Sequence, residues 1–417
     1  MVDTTEKQIV AGDRLTIPLT EIAFHGASIG RTEDGQVVMA DYGIPGELSE
    51  VEIERVKRHY LLASVVAPVV ASEDRVEPPC PYFGTCGGCQ WQHIAYGRQL
   101  ELKRHVVSEQ LRRIGKFDDF EVSKMVPSAR PYGYRNNARF TTNKDGELGY
   151  ISRPGTGRRF MRIDRCLIMD DRINEALATM QGRAHVKHQV VVRYGVHTDQ
   201  LLIQQDLTEL VPEVPSAGTH YEEELLGARF RVAASSFFQT NTLQAEELAR
   251  LAIERMALSG DEVVVDAYAG VGTFAILVAP HAKRVIAIEE SATAMADAGV
   301  NLRGFDNVEY HHGKVEKLLP ELEIEPDVIL LDPPRTGMDA RAIGGILKHR
   351  PRRIVYVSCD PATLARDLRI VVDGGYRLLD VTPVDMFPQT YHIECVATLE
   401  LDENAWQQAT ATSEDAA

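Results

Sequence analysis

A cysteine stands between an apolar strand and the start of a helix in YVSCDPATLARDL, residues 356–368. Asp360 and Pro361 predict a helix N-terminus directly after Cys359, because proline is favoured at the first helical position. A thiol there would face backbone N–H groups and the positive end of the helix, and both favour the nucleophilic thiolate. The alternative, left open by this stretch alone, is a small buried apolar residue.

A second candidate group stands at the end of another apolar strand, in LLDPPRTG at residues 330–337. Asp332 precedes two prolines, which stiffen the loop. Ligands of open α/β sheets bind outside the carboxyl ends of the strands, so Asp332 and Cys359 are predicted to face one cleft. A purely structural loop is the alternative.

A glycine-containing turn indicates a nucleoside site. VVVDAYAGVGTF, residues 263–274, places Gly270 and Gly272 where a strand turns into a helix and where backbone can approach a ligand closely. One strand later, Glu289 could accept hydrogen bonds from a ribose diol. The third glycine of a dinucleotide motif is replaced by Ala275. A nucleoside without phosphates, such as S-adenosylmethionine, therefore fits better than a dinucleotide.

Four of the six cysteines have a spacing that predicts a metal site. Three follow the pattern C-x5-C-x2-C, and a fourth comes later in RIDRCLIM. Four thiolates hold either zinc or an iron–sulfur cluster, and Gly87 and Gly88 would let the chain wrap the bulkier cluster. Disulfides, or thiols placed by chance, are the alternatives. Cys395 belongs neither to this set nor to the motif around Cys359, and it is predicted to be a core thiol. The four predicted ligands are Cys80, Cys86, Cys89 and Cys166.

Length and composition bound the class of protein. The 417 residues predict two or three domains. No apolar run approaches 18 residues and the N-terminus lacks the pattern of a signal peptide, so we expect a cytoplasmic protein without a membrane partner. The net charge of −16 opposes general attraction to nucleic acid, which needs lysine and arginine.

One segment departs from this acidic average. Between residues 130 and 165, nine basic residues stand against three acidic ones, a net charge of +6, with Tyr132, Tyr134, Phe140 and Phe160 interleaved. Basic residues mixed with aromatic ones suit phosphates and unstacked bases of RNA. A solvated face of a sheet is the alternative. The basic residues are Arg130, Arg135, Arg139, Lys144, Arg153, Arg158, Arg159, Arg162 and Arg165.

The spacing of apolar residues predicts three folded parts. The N-terminal part alternates in short strands, which predicts a small β-barrel of the OB type. From residue 262 strands alternate with helices, which predicts a doubly wound α/β domain. The last two strands leave little room for a helix between them, so an antiparallel strand is expected at the sheet edge. The predicted boundaries are a tail at 1–11, the barrel at 12–72, a central β-rich domain at 73–235 with a helix at 95–115, the α/β domain at 236–403, and a disordered tail at 404–417.

Taken together, these motifs resemble the uracil-5 RNA methyltransferases of the iron–sulfur type that act on ribosomal RNA. The resemblance spans residues 12–400 and also includes SSFFQTN at 235–241 and DMFPQTYHIE at 385–394. It implies an N-terminal TRAM barrel that binds RNA, a central iron–sulfur domain and a Rossmann-like methyltransferase domain. It also implies that Cys80, Cys86, Cys89 and Cys166 bind a 4Fe–4S cluster, that Gln239, Tyr268, Glu289 and Asp332 line the S-adenosylmethionine site, and that Cys359 is the nucleophile.

The implied reaction explains why a cysteine is needed. Carbon 5 of uracil becomes nucleophilic when a thiolate adds to carbon 6, and a base removes the carbon 5 proton after methyl transfer. Glu394 is the candidate base and His392 its rival. The predicted product is 5-methyluridine in a loop or bulge of 23S ribosomal RNA, made by a monomer. The alternatives are the same reaction on transfer RNA, and a non-catalytic iron–sulfur assembly factor that binds RNA.

Overall fold

The computed structural model describes residues 9–153, 157–187 and 189–407. Tertiary contacts divide these residues into two compact units. The first unit takes its residues from 1–106, 150–161 and 387–391, and the second from 107–149, 162–386 and 392–417. The segment 73–235, predicted as one central domain, is thus divided between the two units, and its predicted boundaries stay a prediction.

The first unit contains a closed five-stranded barrel with strand order β1-β2-β3-β5-β4, as predicted for the N-terminal part. β1 pairs with both β2 and β4, which closes the barrel. Its interior holds alternate apolar residues of β1, β3, β4 and β5, among them Ile17, Val38, Val51 and Leu61, because successive side chains of a strand point to opposite faces. The strands are β1 (Arg14–Ile22), β2 (Ser28–Arg31), β3 (Val37–Asp41), β4 (Leu48–Val56) and β5 (Tyr60–Val70).

Two helices and seven short strands follow the barrel. α1 (Tyr96–Arg113) lies inside the predicted range 95–115. Five strands form a sheet with order β10-β9-β6-β7-β8, and β11 pairs with β12 as a hairpin. The elements are β6 (Asn137–Thr142), β7 (Leu148–Ile151), β8 (Phe160–Arg162), α2 (Asp171–Met180), β9 (Gln189–Gly195), β10 (Gln200–Ile203), β11 (His220–Leu225) and β12 (Ala228–Ala233).

The second unit is built around a seven-stranded sheet with order β15-β14-β13-β16-β17-β19-β18. The first five strands in this order are parallel, which confirms the predicted α/β fold. The elements are α3 (Thr242–Met256), β13 (Val263–Ala267), α4 (Thr273–Val278), β14 (Arg284–Glu289), α5 (Ala292–Asn301), β15 (Val308–His312), α6 (Val315–Leu318), β16 (Val328–Leu331), α7 (Ala340–His349), β17 (Arg353–Ser358), α8 (Pro361–Asp373), β18 (Tyr376–Val384) and β19 (Glu394–Leu401).

The sequence had predicted an antiparallel strand at the edge of this sheet, but in the structure the antiparallel strand lies inside the sheet. β19 lies between β17 and β18 and pairs antiparallel with both. β18, which follows α8, does not pair with β17 but lies one strand position away from it. β19 fills the position between them and forms backbone hydrogen bonds with both strands.

The C-terminal region differs from prediction within the described residues. Residues 403–407 are helical rather than disordered, and the Arg350 guanidinium lies 4.6 Å from the centre of the Trp406 ring. Residues 408–417 of the predicted tail, and 1–8 at the other end, lie outside the described residues. No helix in the described ranges is both long and apolar enough to cross a membrane.

Candidate active site

Five neighbouring strands of the second unit each carry a predicted site residue at the same edge of the sheet. The strands are β14, β13, β16, β17 and β19, in spatial order. The first four are parallel, so their carboxyl ends meet at this edge, and antiparallel β19 begins there. The residues at these strand ends, in the same order, are Glu289, Tyr268, Asp332, Cys359 and Glu394.

These five residues and Gln239 line one cavity of about 500 Å³. Gln239 comes from the loop before α3. Much of the remaining wall is apolar and includes Ala245, Leu248 and Phe274. The volume is in the range of small-molecule sites, and a few polar groups on an apolar wall are typical of them. The cavity lining includes Glu394 but not His392, so the structure brings together the predicted nucleophile, the preferred base and the four predicted binding residues.

The glycine-containing turn is held by hydrogen bonds to both backbone groups of one residue, Gly270. The Gly270 N–H donates to the Glu289 carboxylate at 2.9 Å, and the Tyr310 hydroxyl donates to the Gly270 carbonyl. Tyr268 and Gly272 both have left-handed backbone, with φ of 71° and 86°. A non-glycine residue in this region stores strain of about 1–3 kcal/mol, which is common at ligand sites. Sequence reasoning missed Tyr310, which lies in β15.

The N-terminus of α8 is capped by Asp360 and not by the neighbouring thiol. The Asp360 Oδ1 accepts hydrogen bonds from the N–H groups of Ala362 at 3.0 Å and Thr363 at 2.9 Å. The backbone donors that were predicted to stabilise the Cys359 thiolate are therefore already bound to a carboxylate. That part of the sequence interpretation is wrong.

The surroundings of Cys359 favour the thiol over the thiolate. Burial, above all, raises the pKa of Cys359 to about 12, and the carboxyl groups of Glu394 and Asp332 add to the rise. The guanidinium of Arg335 opposes it through its charge and a hydrogen bond to the sulfur. Arg335 lies in the quoted motif LLDPPRTG, which was the signal for it, yet sequence reasoning did not select it.

Three carboxyl groups at this edge of the sheet have raised pKa values. Burial raises the pKa of Asp332 to about 7. Asp266, in β13, is 1% exposed, and burial together with Asp332 and Glu289 raises its pKa to about 7 as well. Burial and then Asp332 raise the pKa of Glu394 well above its ordinary value, while Arg335 lowers it. Loss of hydration disfavours the charged form of each group.

The cysteines predicted as metal ligands are partly exposed thiols. Cys80, Cys86 and Cys89 lie in the first unit, where the Gly88 N–H approaches the Cys86 sulfur at 3.4 Å. Cys166 lies in the second unit. In the part of the chain that the structure describes, no group of three or more His, Cys, Asp or Glu side chains is arranged to hold a metal ion. The predicted 4Fe–4S cluster and the central iron–sulfur domain therefore stay predictions.

The basic segment 130–165 is partly neutralised by ion pairs. Arg153 binds Glu54 at 3.3 Å, and Arg162 binds Glu147 and Asp164 at 3.0 and 2.9 Å. Arg165 binds Asp171 at 2.6 Å. Arg158 and Arg159 are exposed. Among the described residues these two form no ion pair with an acidic side chain, so their charges are available to a ligand.

The sequence of this chain is similar to two known protein families and to known RNA methyltransferases. The sequence profile of the tRNA (Uracil-5-)-methyltransferase family matches residues 226–401, and the profile of the TRAM domain matches residues 11–66. An uncharacterized RNA methyltransferase of Gloeobacter violaceus is 36% identical over 94% of this chain and 97% of its own length. Another, of Halalkalibacterium halodurans, is 34% identical over 93% of this chain and 97% of its own.

One solved structure is similar along nearly the whole chain. It is the Pyrococcus abyssi tRNA (uracil-54, C5)-methyltransferase in complex with S-adenosyl-L-homocysteine, at a TM-score of 0.74 and 25% sequence identity. The similarity covers 93% of this chain and 99% of that one.

Proposed function

The chain belongs to the RNA uracil-5 methyltransferase family and is an RNA methyltransferase, and on this premise we propose that it makes 5-methyluridine in 23S ribosomal RNA through a covalent adduct with Cys359. The observation that carries the proposal is one cavity, which is lined by Cys359 and Glu394 together with the predicted cofactor residues. A scaffold that only bound RNA would not need a thiol and a carboxyl group at the end of adjacent strands.

The cavity fits S-adenosylmethionine, which supplies a methyl group on a sulfonium cation. Glu289 is fixed by the N–H of Gly270, and its carboxylate suits the two hydroxyls of a ribose. Gln239 and Tyr268 offer an amide and an aromatic ring beside it. The acidic character of Asp332 favours a cationic ligand over a neutral one. The complex of the solved Pyrococcus abyssi structure with S-adenosyl-L-homocysteine supports this choice.

In the proposed reaction the Cys359 thiol gives its proton to solvent, and its sulfur forms a bond to carbon 6 of uracil. The carbon 5–carbon 6 double bond breaks, and its electrons move onto the carbonyl oxygen to give an enolate. Carbon 5 then takes up the methyl group, whose bond to the sulfonium sulfur breaks, and S-adenosylhomocysteine is left as the second product. Arg335 is the cation that favours the Cys359 thiolate. Because the thiol of the free protein has a high pKa, binding of the RNA and the cofactor must lower that pKa before the sulfur adds to carbon 6.

Glu394 is the proposed base of the last step. It accepts the carbon 5 proton, the double bond forms again, and the carbon 6–sulfur bond to Cys359 breaks. Its position beside Cys359 supports the assignment. Because burial raises the pKa of Glu394 well above its ordinary value, the carboxyl group must first lose its resting proton to solvent, and the resulting carboxylate is then a strong acceptor for the carbon 5 proton. The rival His392 does not line the cavity.

The choice of 23S ribosomal RNA rests on the sequence resemblance. The four cysteines Cys80, Cys86, Cys89 and Cys166 form a donor set that suits a 4Fe–4S cluster, and such a cluster together with a TRAM domain accompanies ribosomal RNA methylation in the family type that the chain resembles. The domain match supports an RNA substrate. The target uridine must leave its stack to reach the cavity, so a loop or bulge is expected.

Mass mapping of RNA tests the proposal. Ribosomal and transfer RNA are purified from cells that lack the gene, incubated with the protein and S-adenosylmethionine, digested, and searched for fragments with one added methyl group on a uridine. Methylation of 23S ribosomal RNA at a defined uridine supports the proposal. Methylation of transfer RNA alone would overturn the substrate assignment, and methylation of neither would overturn the proposed function.

A further inference from the structure

Two side chains of α5 hold the strand that leads to Gln239. Asp297 and Asn301 are one helical turn apart, so they lie on the same face of the helix. Both bind groups of the segment from Arg231 to Ser236. Neither residue lines the cavity, and sequence motifs did not single them out.

Asp297 is a buried carboxylate with three donors. Its side chain is 1% exposed. It accepts hydrogen bonds from the Arg231 guanidinium at 2.6 Å, the Ala233 N–H at 2.8 Å and the Ser236 hydroxyl at 2.6 Å. A buried charge is stable only when it is paired and hydrogen-bonded. The carboxylate therefore fixes Ser236, the residue at which the loop toward Gln239 begins.

Asn301 joins the same strand to the glycine-containing turn. Its Oδ1 accepts the Arg231 N–H at 2.8 Å, and its Nδ2 donates to the Arg231 carbonyl at 3.0 Å. The same Nδ2 donates to the Val271 carbonyl at 3.1 Å. Val271 lies between Gly270 and Gly272, so one amide connects the turn next to Glu289 with the strand that precedes Gln239.

The loop from Ser236 to Gln239 is fixed at both ends. The Ser236 carbonyl accepts a hydrogen bond from buried Arg193 at 2.6 Å, and the Gln239 carbonyl accepts one from Asn136 at 3.1 Å. Between them Phe237 is 73% exposed and contributes to the cavity wall. A large apolar side chain at the surface does not hold a loop by its own burial. The next residue, Phe238, is 5% exposed, and its ring centre lies 5.8 Å from that of Phe230. The anchors at the two ends and the burial of Phe238 therefore define the course of the loop together.

We propose that Asp297 and Asn301 are positioning residues that set the Ser236–Gln239 loop and the glycine-containing turn in one fixed geometry, so that Gln239 and Glu289 face the same cofactor. The inference rests on the proposed S-adenosylmethionine site. Neither residue touches the cofactor in this proposal. Both act through hydrogen bonds to the two segments that contact the cofactor, and a small displacement of these segments lowers the affinity for the cofactor.

A matched pair of asparagine substitutions tests the proposal. Asn301→Ala removes the link between the two segments. Asn307→Ala removes an amide that also donates two hydrogen bonds to backbone carbonyls, those of Ala279 and Ala282, and that does not line the cavity. Calorimetric titration with S-adenosylhomocysteine at a temperature below both unfolding transitions should show a Kd at least tenfold higher for Asn301→Ala and within twofold of wild type for Asn307→Ala.

The outcomes separate this inference from the proposed function. Equal affinity of Asn301→Ala and wild type, or an equal loss in both variants, would overturn the positioning role. Failure of the wild-type protein to bind S-adenosylhomocysteine would instead overturn the proposed cofactor site. If Asn301→Ala does not fold, Ser236→Ala decides, because it removes only the hydroxyl that binds Asp297. A severalfold rise in its Kd supports the role, and an unchanged Kd contradicts it.

Discussion

Cys359 and Glu394 are neighbours across two antiparallel strands, although 35 residues separate them in the sequence. Ser358 pairs with Cys395 in the ladder of β17 and β19, so the next residue of one strand and the preceding residue of the other lie side by side. Through this arrangement Glu394 raises the pKa of the Cys359 thiol. The group that we propose as the base therefore also influences when the nucleophile becomes reactive.

Replacement of the nucleophile should abolish adduct formation and leave cofactor binding intact. RNA that contains 5-fluorouridine traps the adduct of an active enzyme, because fluorine cannot leave as a proton. Cys359→Ala should give no protein–RNA band in denaturing electrophoresis and a wild-type Kd for S-adenosylhomocysteine. Cys395→Ala is the matched control, since this buried thiol should be dispensable for the adduct. A band with Cys359→Ala would show that the nucleophile is misassigned.

Replacement of the base should stop the reaction after methyl transfer. Glu394→Gln cannot take up the carbon 5 proton, so the methylated RNA should stay bound to Cys359 and migrate with the protein through denaturing electrophoresis. Turnover should fall by a factor of about 100 or more, as is typical for loss of a general base. His392→Gln should release its product normally. Normal turnover by Glu394→Gln would assign the proton transfer to another group.

The contribution of Asp266 to the stability of the protein should fall as the pH rises from about 4 to 7. Burial raises the pKa of Asp266 from 3.8 to about 7, so the folded chain keeps a proton that the unfolded chain has lost in this window. Each pH unit then lowers the free energy of unfolding by up to about 1.4 kcal/mol per group, and Asp332 adds to the same window.

Compared with wild type, the melting temperature of Asp266→Asn should therefore fall less, or rise more, between pH 4 and 7, and it should be higher at pH 8. Differential scanning fluorimetry from pH 4 to 8 measures this. Asp118→Asn is the control, because Asp118 is exposed and its replacement should leave the slope unchanged. A slope as steep in Asp266→Asn as in wild type would contradict the assignment.

Protein purified without oxygen should be brown and contain roughly four irons per chain, the number that a 4Fe–4S cluster requires. Cys166→Ser should lose most of this iron, and its melting temperature should fall by several degrees because metal binding contributes to folding. Cys395→Ser should keep its iron. Stoichiometric zinc without iron in the same preparation would show that the cysteines hold a different metal.

Arg158 and Arg159, which form no ion pair within the described residues, should contribute to RNA affinity. Changing Arg158 and Arg159 to alanine together should weaken RNA binding and reduce the slope of log affinity against log salt by about 1 to 2, because each phosphate contact releases counterions. Arg162→Ala should change the slope less, since Arg162 already binds Glu147 and Asp164. An unchanged slope in the double variant would assign these arginines to a solvated surface.

Sequence alone determined the elements and the residues at their ends. Alternation of strands and helices from residue 262 predicted the α/β sheet, and the motifs placed Glu289, Asp332 and Cys359 at strand ends that the structure then joined in one cavity. These features follow from local periodicity and from the general rule that ligands lie outside the carboxyl ends of parallel strands.

Only the tertiary structure decided what surrounds these groups. The insertion of β19 between β17 and β18 placed Glu394 beside Cys359, and no local pattern encodes strand order. The helix N-terminus favoured a lowered pKa for Cys359, but the pKa is raised, because burial removes water from the thiol and the carboxyl groups of Glu394 and Asp332 add to the rise. Asp360 takes the N–H groups at the start of the helix. The hydrogen bonds of Asp297 and Asn301 join segments about 60 to 70 residues apart. Burial and long-range pairing depend on how the whole chain packs, whereas a motif records only its own residues.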